Sequence, residues 1–182
     1  MSRLRKVGED VVGEALVETF RRGGFAGASL RELQTATGLG PASLYHRFGG
    51  GKQAMAGAAL DHVGGSFGTL VIAPLAASGD VAARLSASAD GVRRFYDDGR
   101  LACLLAIFTL SDAPEPVRAA VAAAFTAWRD ALAAALADAG VASPDAVAED
   151  RVATIQGALV LARATGERGA FDRAVAQLAA VR

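Results

Sequence analysis

Apolar residues recur three and four apart from one end of this chain to the other, and no run of them alternates convincingly as a strand would. That spacing restricts the fold to an all-α one. Val12, Leu16 and Phe20 predict a first helix over roughly residues 7–23, ended by Gly23-Gly24. Ser29 stands before Leu30 and Leu33 with Glu32 three places on, a capping-box pattern that opens a second helix. Gly38 and Gly40 punctuate, and Pro41 occupies a position that a first helical turn tolerates. A short third helix reaches to about Phe48, with Leu44 and Phe48 on one face. After Gly49-Gly50-Gly51 a longer helix is expected from about Lys52 to Ile72.

The remainder continues in the same period. Asp80 caps a fifth helix that carries Val81, Leu85, Val92, Phe95 and Tyr96, and the apolar stretch Leu101 to Leu110 predicts a short helix buried on most sides. Asp112, Pro114 and Pro116 open a long helix whose stripe is Val117, Val121, Phe125, Trp128, Leu132 and Leu136, ended by Gly140. Ser143-Pro144-Asp145 starts another, with Val152, Ile155 and Leu159, and a last helix carries Phe171, Val175 and Leu178. The expectation is nine helices. A chain of 182 residues has the length for a real core, but much of its 52% hydrophobic content is alanine. Each alanine buries only a methyl group, so such a core needs close helix approach and often a partner chain.

Charge and special residues narrow the function classes. The net charge is zero, yet residues 1–60 hold eight basic against five acidic side chains, and the rest reverses the balance. A basic front on an acidic body suits a protein that presents one end to a polyanion. Cys103 is the single cysteine, which excludes an internal disulfide and suits a reducing cytoplasm. No apolar leader opens the sequence, and charges such as Arg129 and Asp130 break its longest apolar stretches, so a soluble, cytoplasmic protein with no membrane partner is expected. His46, His62 and Cys103 are poorly spaced for a metal, and no metal or cofactor is expected. His62 reads equally as a cavity wall or a surface imidazole.

Two short patterns mimic catalytic ones. Gly64-Gly65-Ser66-Phe67-Gly68 matches the nucleophile elbow of serine hydrolases, but that chemistry needs a strand before the serine and a histidine after it. Both histidines come earlier, so no enzyme is expected. The glycines read instead as a loosened helix, or as a hinge in the fourth helix. Gly49-Gly50-Gly51-Lys52 lacks the upstream glycine and the following Ser/Thr of a nucleotide loop.

Residues 27–52 carry the most information. Two short helices joined through Gly38 and Gly40, with Leu30, Leu33, Leu39, Leu44 and Phe48 available to pack on the first helix, form the frame of a helix-turn-helix. Pro41, Ala42, Ser43, Tyr45 and His46 are left on the remaining face of the third helix: small residues for close approach to base edges, then two that reach phosphate oxygens. Lys52 is one of only two lysines against seventeen arginines. It stands at the start of the fourth helix, where free backbone N–H groups suit a phosphate. Arg3, Arg5 and Lys6 read equally as a DNA-seeking arm or a frayed tail.

From Ser29 to Lys52 the sequence resembles the DNA-binding domain of the TetR/AcrR family of repressors. Leu104-Leu105-Ala106, Ala127-Trp128 and 156–164 resemble the subgroup that controls multidrug-efflux or flavonoid-responsive genes. The resemblance implies a nine-helix fold with a helix-turn-helix domain at 1–50 and an effector-binding and dimerisation domain at 51–182. It implies a homodimeric repressor of near-palindromic double-stranded operator DNA, released by a small apolar or aromatic effector. It implies phosphate contacts from Ser29, Tyr45, His46 and Lys52, with Leu30 on the same surface, and bases facing Pro41, Ala42 and Ser43. Phe67, Phe95, Tyr96, Cys103, Ile107, Phe108, Phe125 and Trp128 become candidate effector contacts, each otherwise plain core. Three departures stand out: Gln34-Thr35 precede Ala36, Pro41-Ala42 replace the family's usual polar pair, and Gly49-Gly50-Gly51 replaces a more rigid turn before Lys52. The second removes base-reading hydrogen-bond donors and shifts readout toward Ser43, thymine methyl groups and DNA shape.

Overall fold

The structure, a computed structural model, describes residues 8–181; Arg3, Arg5 and Lys6 lie outside them. Among the described residues there is no strand. The helices are α1 (Glu9–Gly27), α2 (Leu30–Thr37), α3 (Pro41–Arg47), α4 (Gly51–Phe67), α5 (Ala73–Ala76), α6 (Val81–Phe95), α7 (Leu104–Thr109), α8 (Glu115–Asp138), α9 (Pro144–Thr165) and α10 (Gly169–Ala179). A π-helical stretch, Gly68–Ile72, joins α4 to α5. With 51–76 taken as one interrupted rod, the described residues form the nine rods that the periodicity predicts.

The chain divides into two compact units. One holds the described residues up to Val63 together with Leu104–Val121; the other holds Gly64–Cys103 and the chain from Ala122 onward. In the first, α2 and α7 pack on α1, and Val12, Leu16, Phe20, Leu33, Leu44, Met55 and Phe108 are buried. The glycine pair expected to end α1 does not do so. Gly24 takes φ 63° and ψ −171°, a kink that only glycine adopts without strain, and α1 resumes to Gly27. Phe25 is thereby turned back onto Phe20, the rings parallel with centroids 6.3 Å apart, and both meet Phe108 edge-on. The stretch around α7 is less enclosed than its composition predicts: Phe108 is buried, but Leu110 is 86% exposed.

In the second unit α10 packs on α6 and α9, and α6 packs on the π-helical stretch. Asp80 caps α6 by accepting from the Ala83 N–H, as expected. Ser143 does not cap α9: it sits in a left-handed conformation with no side-chain bond, and Pro144 supplies the first turn instead. The π-helical stretch is shaped by its neighbour. Ser88 donates to the Val71 carbonyl at 2.9 Å, and a Cβ at Gly91 would stand 1.9 Å from the Leu70 oxygen. The helix backbones therefore touch at Gly91. By length and composition α8 is apolar enough to cross a membrane, and its buried stripe is the one that the sequence marks out except at Phe125, which is half-buried: Val117, Val121, Trp128, Leu132 and Leu136.

Candidate nucleic-acid interface and effector region

The interface begins with the local chemistry of α2. Ser29 Oγ accepts from the Glu32 N–H at 3.2 Å and donates to Glu32 Oε2 at 2.7 Å, while the Ser29 N–H donates to the same carboxylate at 2.8 Å. The reciprocal cap is complete. These bonds to Ser29, side chain first and backbone second, hold the Glu32 carboxyl below its ordinary value of 4.5. Gly38 then ends α2 in the left-handed region at φ 66°, and Gly40-Pro41 restarts the chain as α3.

Of the seven residues of α3, only Leu44 is buried, with Phe48 beside it. Pro41, Ala42, Ser43, Tyr45, His46 and Arg47 are exposed, Tyr45 at 52%. Such a helix is pinned by one leucine and shows everything else outward. Arg47 meets Glu9 at 3.8 Å, a surface pair of little energetic weight. Ser29 and Leu30 are also exposed, so the structure brings seven of the eight expected DNA contacts to the surface of one helix-turn-helix. Lys52 differs. Its ammonium donates to the carbonyls of Ala26 at 3.3 Å and Ala28 at 3.1 Å, and lies 4.8 Å from the centre of the Phe25 ring. Sequence reasoning had no means to find those partners, because carbonyls carry no residue signature.

His62 lies against α1, where only glycine leaves room: a Cβ on Gly13 would stand 2.6 Å from Nδ1. Both line a surface cleft of about 400 Å³ with Glu9, Asp10, Arg47 and Asp61. Gly64 to Phe67 belong to α4, so the serine of the elbow-like pattern follows a helix and not a strand.

The expected effector contacts fall into two groups. In the second unit Phe67 is the hub of an aromatic cluster, 5.0 Å from Phe95, 5.0 Å from Trp128 and 6.5 Å from Tyr96, each edge-on. Tyr96 donates its hydroxyl to Cys103 Sγ at 3.5 Å. Trp128 is 1% exposed, and its Nε1–H has no hydrogen-bond partner. Phe125 is half-buried on the same helix. Ile107 and Phe108 belong to the first unit, where Phe108 packs on the rings of Phe20 and Phe25. Gln156, at the start of the stretch 156–164, has both of its amide atoms buried without partners.

Residues 14–59 match the family described as bacterial regulatory proteins, tetR family, and residues 81–177 match the transcriptional regulator LmrA/YxaF-like C-terminal domain. The chain belongs to the TetR family. It is a TetR-family transcriptional regulator, and its C-terminal half is of the LmrA/YxaF-like kind. Solved structures repeat the fold. A TetR regulator from Legionella pneumophila has a TM-score of 0.82 at 15% identity, covering 98% of this chain and 97% of that one. A TetR-family regulator from Cytophaga hutchinsonii has a TM-score of 0.77 at 23% identity, over 99% and 96%. The TetR-family regulator CifR, solved as a cysteine mutant complexed with 26-bp double-strand operator DNA, has a TM-score of 0.76 at 25% identity, over 97% and 98%. No curated protein matches the sequence.

Proposed function

We propose that this TetR regulator represses transcription as a homodimer on near-palindromic double-stranded DNA and leaves it when a small apolar or aromatic effector binds. The observation that carries the reading is the outward face of α3, where Pro41, Ala42, Ser43, Tyr45 and His46 are all exposed around one buried leucine. Pro41, Ala42 and Ser43 face bases, while Tyr45, His46, Ser29 and Leu30 lie along the backbone on either side. Two copies of α3 about 34 Å apart meet successive major-groove faces. The likeness to CifR, solved on operator DNA, supports that mode of docking.

Residues 1–50 form the DNA-reading domain and 51–182 the effector and dimerisation domain. The dimer face is formed by the last two helices, α9 and α10, and on α9 Ala153, Thr154, Gly157, Val160, Leu161 and Ala164 make an exposed stripe at helical spacing. Val160 and Leu161 are 61% and 54% exposed, and Gly157 permits close approach. The effector binds at the Phe67 cluster, where Trp128 offers an unmet donor. It must favour one of two conformations to change DNA affinity. The protein works in the cytoplasm and catalyses nothing.

A gel shift with DNA selected from a random duplex library tests the reading. Binding should weaken steeply as salt rises, through counterion release. Absence of any shift at low salt would leave a helical ligand-binding protein with no role on DNA.

A further inference from the structure

Lys52 stands where the resemblance implies a phosphate contact, yet its ammonium is already engaged. Two of its three protons are directed at the carbonyls of Ala26 and Ala28, and its charge lies over the Phe25 ring. Those carbonyls belong to the last turn of α1 and its cap, which carry the partial negative charge of a helix C-terminus. The next residue, Ser29, is the N-cap of α2. The lysine therefore grips the link that sets how the helix-turn-helix leaves α1.

Three further features hold the link in that pose. Gly24 re-aims the last turn of α1, and a Cβ there would press to 3.3 Å from Ser111 Cβ. Ser111 Oγ accepts the Phe25 N–H at 3.3 Å. Phe20 and Phe108 flank the Phe25 ring. Glu32 meanwhile closes on Ser29 and completes the cap of α2. We propose that Lys52 is a positioning residue: it fixes the α1–α2 link on Phe25 and thereby the pose of α3, and does not itself hold a DNA phosphate. This rests on the DNA-binding reading above.

Salt dependence distinguishes a tie from a phosphate ligand. Full-length protein is titrated with duplex DNA that the unaltered protein selects from a random library, across a range of salt. Lys52→Met should weaken binding about tenfold, the size of one lost charge-assisted hydrogen bond, with the slope of log K against log salt unchanged. Phe25→Leu, which leaves the charge in place, should weaken binding in the same way. A slope shallower by about one unit in Lys52→Met would make it a phosphate ligand and overturn the proposal. Undiminished affinity in either variant would overturn it as well. Amide exchange in the free protein gives a readout independent of DNA. Residues 26–33 should lose protection in Lys52→Met, and unchanged exchange there would refute the tie even if the unaltered protein binds no duplex.

Discussion

The two compact units are built on opposite principles. In the first, a few large side chains fix the frame and the surface is left free: Leu33, Leu44 and Phe20 are fully buried while nearly all of α3 faces outward. In the second, many small residues let backbones approach, as at Gly91 against Leu70, and a few aromatics gather around Phe67. The exposed residues of α3 can change without changing the fold; Gly91 cannot.

Small changes should break the second unit hardest. Gly91→Ala places a methyl group into the Leu70 carbonyl, which is backbone and cannot swing aside. A loss of about 3 kcal/mol is expected, at the upper end for overpacked interiors, read as a lower midpoint in urea. A loss below about 0.5 kcal/mol would show that the backbones do not touch there.

The reverse holds on α3. Tyr45→Ala should leave the melting temperature within about a degree of the parent, because the residue is 52% exposed. DNA binding should fall about tenfold or more, equal to about 1.4 kcal/mol. An equal fall in stability and affinity would place Tyr45 in the frame instead of on the reading face.

Glycines of the second unit sharpen the contrast from within. A Cβ at Gly64 or Gly65 meets nothing within 4 Å, unlike one at Gly91. Alanine at both should stabilise the helix by about 1 kcal/mol, since glycine costs entropy and nothing crowds the new methyl groups. These glycines lie one turn before the π-helical Gly68–Ile72, so they are also the place to test a hinge. Unchanged effector release of DNA from the double alanine variant would argue against one.

What the sequence could foretell follows the same division. The cap formed by Ser29 and Glu32, the proline start of α3 and the Asp80 cap are local events, written in residues a few places apart. Helix number and the buried stripe of α8 came from periodicity alone. Two misreadings involve tertiary partners. Gly23-Gly24 reads as a helix end, but Ser111 and the Phe20 and Phe108 rings make it a kink. The π-helical register depends on Ser88 and Gly91, some twenty residues later. Phe108, an effector contact by the resemblance, meets the Phe20 ring of α1 edge-on. The site was legible in the same measure: exposed α3 was predicted residue by residue, whereas the satisfied ammonium of Lys52 was invisible.

The smallest expected effect concerns pH, and belongs to the first unit alone. Glu32 is ionised more readily in the fold than in the open chain because Ser29 donates to its carboxylate through both hydroxyl and amide. A depressed carboxyl value means that the ionised cap adds stability above the ordinary value of 4.5, and that this contribution fades as pH falls through the lower folded value. Glu32→Gln retains a side chain able to complete the cap but cannot titrate. The melting temperatures of parent and variant, measured from neutral pH down to about pH 3, should therefore converge as acid is added, the difference being greatest well above the glutamate range. A constant offset across that range would mean that charge contributes nothing at this cap. The start of α2 would then be held by geometry alone.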